Sequence, residues 1–193
     1  MKTQTLTLIE KIQLTHDVYE LVYTTEDLDI QAGQFLLCDC EEGNPKLKRS
    51  YSVSWAAQEK VHFIIKRLAD GTGGSIAICD QEVGHQMSTM GPLGHFTLKE
   101  TPQDKVFIGT GTGFAPLYFQ ILAQLQRQTD AHVRFIFGVR EEKDVFYTDI
   151  LDKLSDTHPN FSYQLCLSRP TKEDENTYTG YVTNCLKDEL KQH

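Results

Sequence analysis

No apolar run in the 193-residue chain is long enough to cross a bilayer; Leu6, Leu8, Ile9 and Ile12, near the start, are separated by polar residues. Neither a signal core nor a membrane span is expected, and a cytoplasmic location follows as the default. Positive charge is in deficit, with 19 Lys and Arg against 27 Asp and Glu and a formal net charge of −8. That balance argues against nonspecific binding to nucleic acid or to an anionic membrane surface. Cysteine is sparse: Cys38, Cys40, Cys79, Cys166 and Cys185 are five and scattered, which fits reduced thiols and supplies no quartet for an iron–sulfur cluster or a zinc ion. Cys38 and Cys40 are expected as small buried hydrophobes on one side of a strand. No Gly-Lys-Ser/Thr follows any glycine-rich turn, so there is no P-loop. Internal repeats and low-complexity tracts are absent as well.

What is present centres on Val106–Pro116, where the apolar run Val106-Phe107-Ile108 enters a turn carrying Gly109, Gly111 and Gly113. The run is what a parallel strand buried on both faces shows. Leu117, Ile121, Leu122 and Leu125 then recur at helical spacing, predicting a helix over 114–128. Glycines at a strand-to-helix turn expose amides where an anionic phosphate is favoured, although the same turn also serves as a plain connection. The ordinary dinucleotide fingerprint needs Gly or Ala where this chain has Phe114.

Before residue 100 the text is β-like. Segments 5–12, 18–24, 35–40, 49–54, 61–66 and 85–90 are rich in β-branched or aromatic residues and separated by turn formers. They predict a six-stranded antiparallel barrel, with a short helix over 75–79 capped by Ser75. After a linker at 99–104 the rhythm alternates: strand 105–109, helix 114–128, strand 132–138, helix 145–155, strand 161–166, helix 179–190. Alternation implies a parallel sheet. The fold class is therefore β followed by α/β, with domains at 1–100 and 101–193. The charged segment 170–177 is expected to lack order unless a ligand holds it.

Arg49-Ser50-Tyr51-Ser52 places a guanidinium, two hydroxyls and an aromatic plane within one strand, with Arg49 and Tyr51 on one side and Ser50 and Ser52 on the other. Such a set also describes a half-exposed strand. Gly71-Thr72-Gly73-Gly74-Ser75 is a flexible turn before a helix start, able to hold a pyrophosphate on free amides. Gly91-Pro92-Leu93-Gly94-His95-Phe96 reads as a tight structural corner closing the barrel.

These motifs, together with Gly111-Thr112-Gly113-Phe114-Ala115-Pro116 and Gly138-Val139-Arg140 with Asp144 and Tyr147, stand in the order seen in the ferredoxin–NADP reductase superfamily, which the chain resembles over nearly its whole length. The resemblance implies a flavin-binding barrel followed by an NAD(P)-binding domain, with hydride passing from NADPH or NADH to FAD (or FMN) at the cleft between them. It implies that Arg49 pairs with the flavin phosphates, that Tyr51 packs on the flavin, and that Ser52, the catalytic candidate, hydrogen-bonds near its reactive ring nitrogen. By the same resemblance Ser50 belongs to the cofactor set, and Ile64, Ile65 and Lys66 line the flavin. Gly73, Gly74 and Ser75 bind its phosphates, and Thr112 meets it from the second domain. Gly111 and Gly113 admit the nicotinamide cofactor, and Arg140, Ser168 and Arg169 lie where NADPH-preferring members hold the extra phosphate. No general base is expected, because hydride transfer is the cofactors' own chemistry.

The family continues past the equivalent of His193 with another strand beside the one containing Val106–Ile108. An open hydrophobic edge is therefore expected there, whether the chain is truncated, naturally short or completed by a partner chain; truncation is the preferred expectation. The functional expectation is a flavin-dependent NAD(P)H oxidoreductase passing electrons to a ferredoxin, free flavin or quinone-like acceptor. An electron-transfer component of a larger complex and a non-catalytic nucleotide-binding module are the alternatives.

Overall fold

The computed structural model describes residues 2–25, 28–57, 59–127, 129–172 and 174–191. Gln128 and Glu173, which fall within the expected helix and loop, lie outside them. The first half is one antiparallel sheet of seven strands. These are β1 (Lys2–Gln13), β2 (Val18–Thr24), β3 (Phe35–Asp39), β4 (Lys48–Ser52), β5 (Trp55–Ala57), β6 (Lys60–Lys66) and β7 (Gln86–Leu93), in the order β4-β3-β7-β1-β2-β6-β5.

The sheet curls into a half-barrel around Leu6, Leu8, Leu21, Tyr23, Leu36, Phe63, Ile78 and Met87, all essentially solvent-free. Cys38, Cys40 and Cys79 sit in this core as free thiols. The expected six strands become seven because Trp55–Ala57 forms a hairpin with β6, turning at Glu59 with φ 64. Trp55 stands opposite His62, their rings edge-on at 4.8 Å.

The short helix α1 (Gly74–Cys79) follows β6, but Ser75 does not cap it. Gly73 occupies the cap position in the left-handed region, and Ser75 Oγ instead accepts a hydrogen bond from Leu68 N–H at 3.1 Å.

The second half is a parallel sheet in the order β11-β10-β9-β8. Its strands are β8 (Lys105–Thr110), β9 (Val133–Val139), β10 (Phe161–Leu167) and β11 (Thr177–Thr179), accompanied by α2 (Phe114–Leu125), α3 (Thr148–Thr157) and α4 (Val182–Lys191). Side chains alternate across β9. Phe135 and Phe137 join Phe107, Phe114, Leu117, Ile121 and Leu151 in one buried cluster, while Ile136 packs on the other face with Cys166 and Cys185.

Several expectations shift here. β11 begins inside the segment expected to lack order and holds the start of α4 back to Val182. The loop before it is tied to the rest of the chain: the Glu142 carboxylate accepts Thr171 N–H at 2.7 Å and Lys172 N–H at 3.2 Å. α3 begins at Thr148, because a 3-10 turn over Glu142–Asp144 and an extended Val145 precede it. In place of the expected burial of β8 on both faces, Val106 is 55% and Ile108 38% exposed. They share the face on which α4 packs, but α4 leaves them partly uncovered, and β8 is the terminal strand of the sheet.

The two halves are not merely tethered. Val18 and Ile64, on the outer face of the half-barrel, belong to the same apolar cluster as Phe114 and Phe137. Gln120 of α2 donates to Phe96 O at 2.7 Å, securing the connecting segment.

Candidate functional site

The curl of the first sheet brings β4 against β6 and opens a cavity of about 290 Å³ lined by Arg49, Ser50, Tyr51, Ile64, Ile65, Lys66, Leu68, Gly71, Thr72, Ser75 and Thr112. Eight of the expected flavin residues are thus brought together: Arg49, Ser50, Tyr51, Ile64, Ile65, Lys66, Ser75 and Thr112. Three are not on this wall. Gly73 and Gly74 lie just behind it at the start of α1, and Ser52 ends β4 opposite Phe35.

Chemistry is graded along the cavity. At one end Arg49 Nη1 donates to Lys46 O at 2.7 Å and to Lys48 O at 2.8 Å, while Nη2 donates to Thr72 Oγ1 at 2.7 Å. A guanidinium carries five N–H donors, so two remain for an anion. Gly74 makes this packing feasible, since a Cβ there would fall 2.6 Å from Arg49 Cγ. Farther in, Ile64, Ile65 and Leu68 offer an apolar wall beside the Tyr51 ring. Burial pushes the Tyr51 phenol well up, aided by Cys40, which keeps the ring neutral. A guanidinium with free donors at one end and an aromatic, aliphatic slot at the other fit a flavin phosphate and an isoalloxazine ring.

A second cavity of about 590 Å³ opens above the parallel sheet, lined by Thr110, Gly111, Thr112, Gly138, Arg140, Asp144, Phe146, Ser168, Tyr181 and Val182 from the second half and by Asp17, Val18, Lys66 and Leu68 from the first. Gly111 and Gly113 bound a 3-10 turn that runs directly into α2. Gly111 has φ +51, and a Cβ on either glycine would meet no atom within 4 Å, so ligand approach is open there. Arg140 and Ser168 are on the wall; Arg169 is not, and its backbone N–H donates to Arg140 O at 2.8 Å.

Lys66, Leu68 and Thr112 line both cavities. The two spaces therefore meet along a wall three residues wide. Lys66 Nζ is paired with Asp17 Oδ2 at 2.7 Å. His16, Asp17 and Asp144 cluster at this mouth, but the Lys66 ammonium already supplies the positive charge beside Asp17. Asp17, Val18 and Leu68 carry no sequence signal, because loops and strand ends far apart in the chain reach the junction only through the curl of the sheet. Phe146 and Gly138 sit within or beside a recognisable motif, yet nothing in the sequence marks them as cavity lining.

Known proteins share both halves. Residues 5–98 match the family described as oxidoreductase FAD-binding domain, and residues 107–193 match the oxidoreductase NAD-binding domain. The chain belongs to the ferredoxin–NADP reductase superfamily. Among curated relatives of this superfamily member, the F subunit of the Na(+)-translocating NADH-quinone reductase of Neisseria meningitidis is 32% identical over 158 residues, covering 75% of this chain and 39% of the relative. Its counterpart of the same name from Pseudomonas aeruginosa is 34% identical over 157 residues with the same coverages. The chain thus spans about two fifths of the length of the curated relatives it matches. Among solved structures, the Amycolatopsis cytochrome P450 reductase GcoB superposes with a TM-score of 0.88 at 24% identity, over 98% of this chain and 58% of that one. The ferredoxin-NADP+ reductase of Plasmodium falciparum gives 0.82 at 19% identity, over 98% and 80%. These likenesses show the shared fold, and no helix among the described residues is long and apolar enough to cross a membrane.

Proposed function

We propose that this superfamily member is a flavin-dependent NAD(P)H oxidoreductase, built as a flavin domain over 1–100 and a nicotinamide-nucleotide domain over 101–193. The observation that carries the reading is the wall of Lys66, Leu68 and Thr112 common to both cavities, because hydride transfer requires two cofactors in contact. Bound FAD and the nicotinamide supply the hydride chemistry, and the chain binds and orients them. In this reading Arg49, with Ser50, Gly73, Gly74 and Ser75, holds the flavin phosphates and ribityl hydroxyls. Tyr51 covers the ring, Ile64, Ile65 and Lys66 line it, and Thr112 closes on it from the nucleotide side. Ser52 is assigned to the vicinity of the reactive ring nitrogen by resemblance to the family. Gly111 and Gly113 leave room for the nicotinamide.

Arg140 and Ser168 in the second cavity, with Arg169 next in sequence, favour NADPH over NADH. The relatives named as NADH-quinone reductases favour NADH, so the two nucleotides are the arms of one competition experiment. The electrons pass on to a ferredoxin, a free flavin or a quinone-like acceptor. A second reading, an electron-transfer component docking on a partner chain, draws support from the exposed Val106 and Ile108 at the β8 edge and from relatives that are themselves named as subunits.

The test is retention of flavin. After incubation with FAD, with FMN in parallel, and removal of unbound material, the protein is expected to be yellow, and Arg49→Ala to lose the colour. A colourless unaltered protein overturns the reading.

A further inference from the structure

The wall common to the two cavities carries one charged side chain, Lys66; Leu68 and Thr112 are its neutral members. A lysine's flexible four-carbon stem lets its ammonium reach to either side of such a wall, so its position depends on what holds it. Arg67, the next residue, is engaged elsewhere: its Nε and Nη2 donate to the two Asp80 carboxylate oxygens, each at 2.8 Å. Lys66 Nζ lies 2.7 Å from Asp17 Oδ2. Asp17 lines the nucleotide cavity and not the flavin cavity, so the ion pair draws the ammonium to the nucleotide side.

The carboxylate is placed there by the turn between β1 and β2. Val18 stands opposite Lys66 in the β2–β6 register, and Asp17 O accepts Arg67 N–H at 2.7 Å. Thr15 Oγ1 accepts Asp17 N–H at 3.4 Å and Val18 N–H at 3.1 Å, and donates to Asp17 Oδ1 at 3.3 Å. One carboxylate oxygen is thus spent on the turn, and the other is left for the lysine. The half-exposed His16 ring also approaches that second oxygen, with Nε2 at 3.4 Å.

We infer that Asp17 is a positioning residue that sets the reduction potential of the flavin through Lys66. A positive charge beside a flavin favours its reduced, more negative form, and charge near the ring is one of the means by which a protein tunes that cofactor. Asp17 withholds this charge by keeping the ammonium on the far side of the shared wall and partly neutralising it. The assignment rests on the function proposed above, and it makes the turn between β1 and β2, which contributes no residue to the flavin cavity, a determinant of how readily the flavin gives up its electrons.

The test is the midpoint potential of the FAD-loaded full chain, measured against a reference dye at one pH and ionic strength, in the unaltered protein, Asp17→Asn, Lys66→Met and the double variant. Asn keeps the Oδ1 acceptor for Thr15, and Met keeps an unbranched stem. The paired side chains are 39% and 23% exposed, so solvent screens them and the effect is modest. Asp17→Asn is expected to favour reduced over oxidised flavin about three- to fivefold, a rise of about 14–21 mV for a two-electron couple. With Lys66→Met in place, the same substitution is expected to change that ratio less than about 1.5-fold. An unshifted potential in Asp17→Asn overturns the inference. So does a rise that persists in full without Lys66, because Asp17 would then act by its own charge and not by placing the lysine. An unaltered protein that binds no FAD overturns the proposed function itself, and is told apart because it is seen before any substitution.

Discussion

Phe114 stands where an ordinary dinucleotide fingerprint has glycine or alanine, and Phe114→Ala would restore that pattern. A local reading of the motif predicts a neutral change. The structure predicts a large loss. Phe114 is fully buried and is the hub of a ring cluster, with Tyr118, Phe135, Phe137, Phe146 and Tyr147 at centroid distances of 5.1, 5.7, 5.0, 5.3 and 5.3 Å. Truncating such a phenylalanine costs about 3–5 kcal/mol, and the number of ring partners places this site in the upper half of that range. Alanine's better helix propensity at the start of α2 returns about 0.5 kcal/mol. The net expectation is a loss of about 3.5–4.5 kcal/mol, or a fall in Tm of roughly 7–18 °C for a chain of this length. Urea unfolding at unchanged m-value measures it. A loss below about 1 kcal/mol would refute the hub, and with it the view that this cluster joins the two halves.

Gly74→Ala pushes a methyl group to within 2.6 Å of Arg49 Cγ, while the guanidinium is held by Lys46, Lys48 and Thr72. Flavin affinity is expected to drop about tenfold, near 1.4 kcal/mol, and an unaltered titration would show that Arg49 does not serve the flavin. Arg140→Ala is expected to weaken NADPH about tenfold and NADH less than about threefold; equal losses would remove Arg140 from phosphate recognition. Burial raises the Cys40 thiol from 9.0 to about 11 and the Cys79 thiol from 9.0 to about 12. Between those values the unfolded chain sheds protons that the native state keeps. Stability is therefore complete below pH 9, declines above it and levels off beyond about 12. A flat urea midpoint from pH 8 to 11 would contradict this sign. The same burial predicts that a thiol-specific disulfide reagent labels neither cysteine at pH 8 until urea is added.

The elements legible in the sequence are those whose pattern is local. The β-branched and aromatic residues of β2 and β6 and the helical spacing of Leu117, Ile121 and Leu125 announce their own structure, and Arg49 and Tyr51 need only a strand to project to one side. Trp55–Ala57 escapes such reading because three residues, two of them alanine, carry no period. β11 escapes it because Thr177–Thr179 follows a charged run and becomes a strand only by pairing with β10. Val106 and Ile108 look like core residues from their type alone. Their exposure depends on what α4 reaches, which no local pattern encodes. The junction of the two cavities is invisible for the same reason, since Asp17, Leu68 and Thr112 meet only after the sheet has curled and the halves have docked.

The central claim is that a flavin and a nicotinamide meet across the wall of Lys66, Leu68 and Thr112. It is tested most directly by mixing the FAD-loaded chain anaerobically with NADPH, or with NADH, carrying deuterium or protium at the transferred position, and following the flavin absorbance. The expected result is bleaching that is slower with deuterium, faster with NADPH, and retarded by a bulky substitution at Thr112 that leaves FAD bound. Flavin that binds and is bleached by neither nucleotide would contradict it.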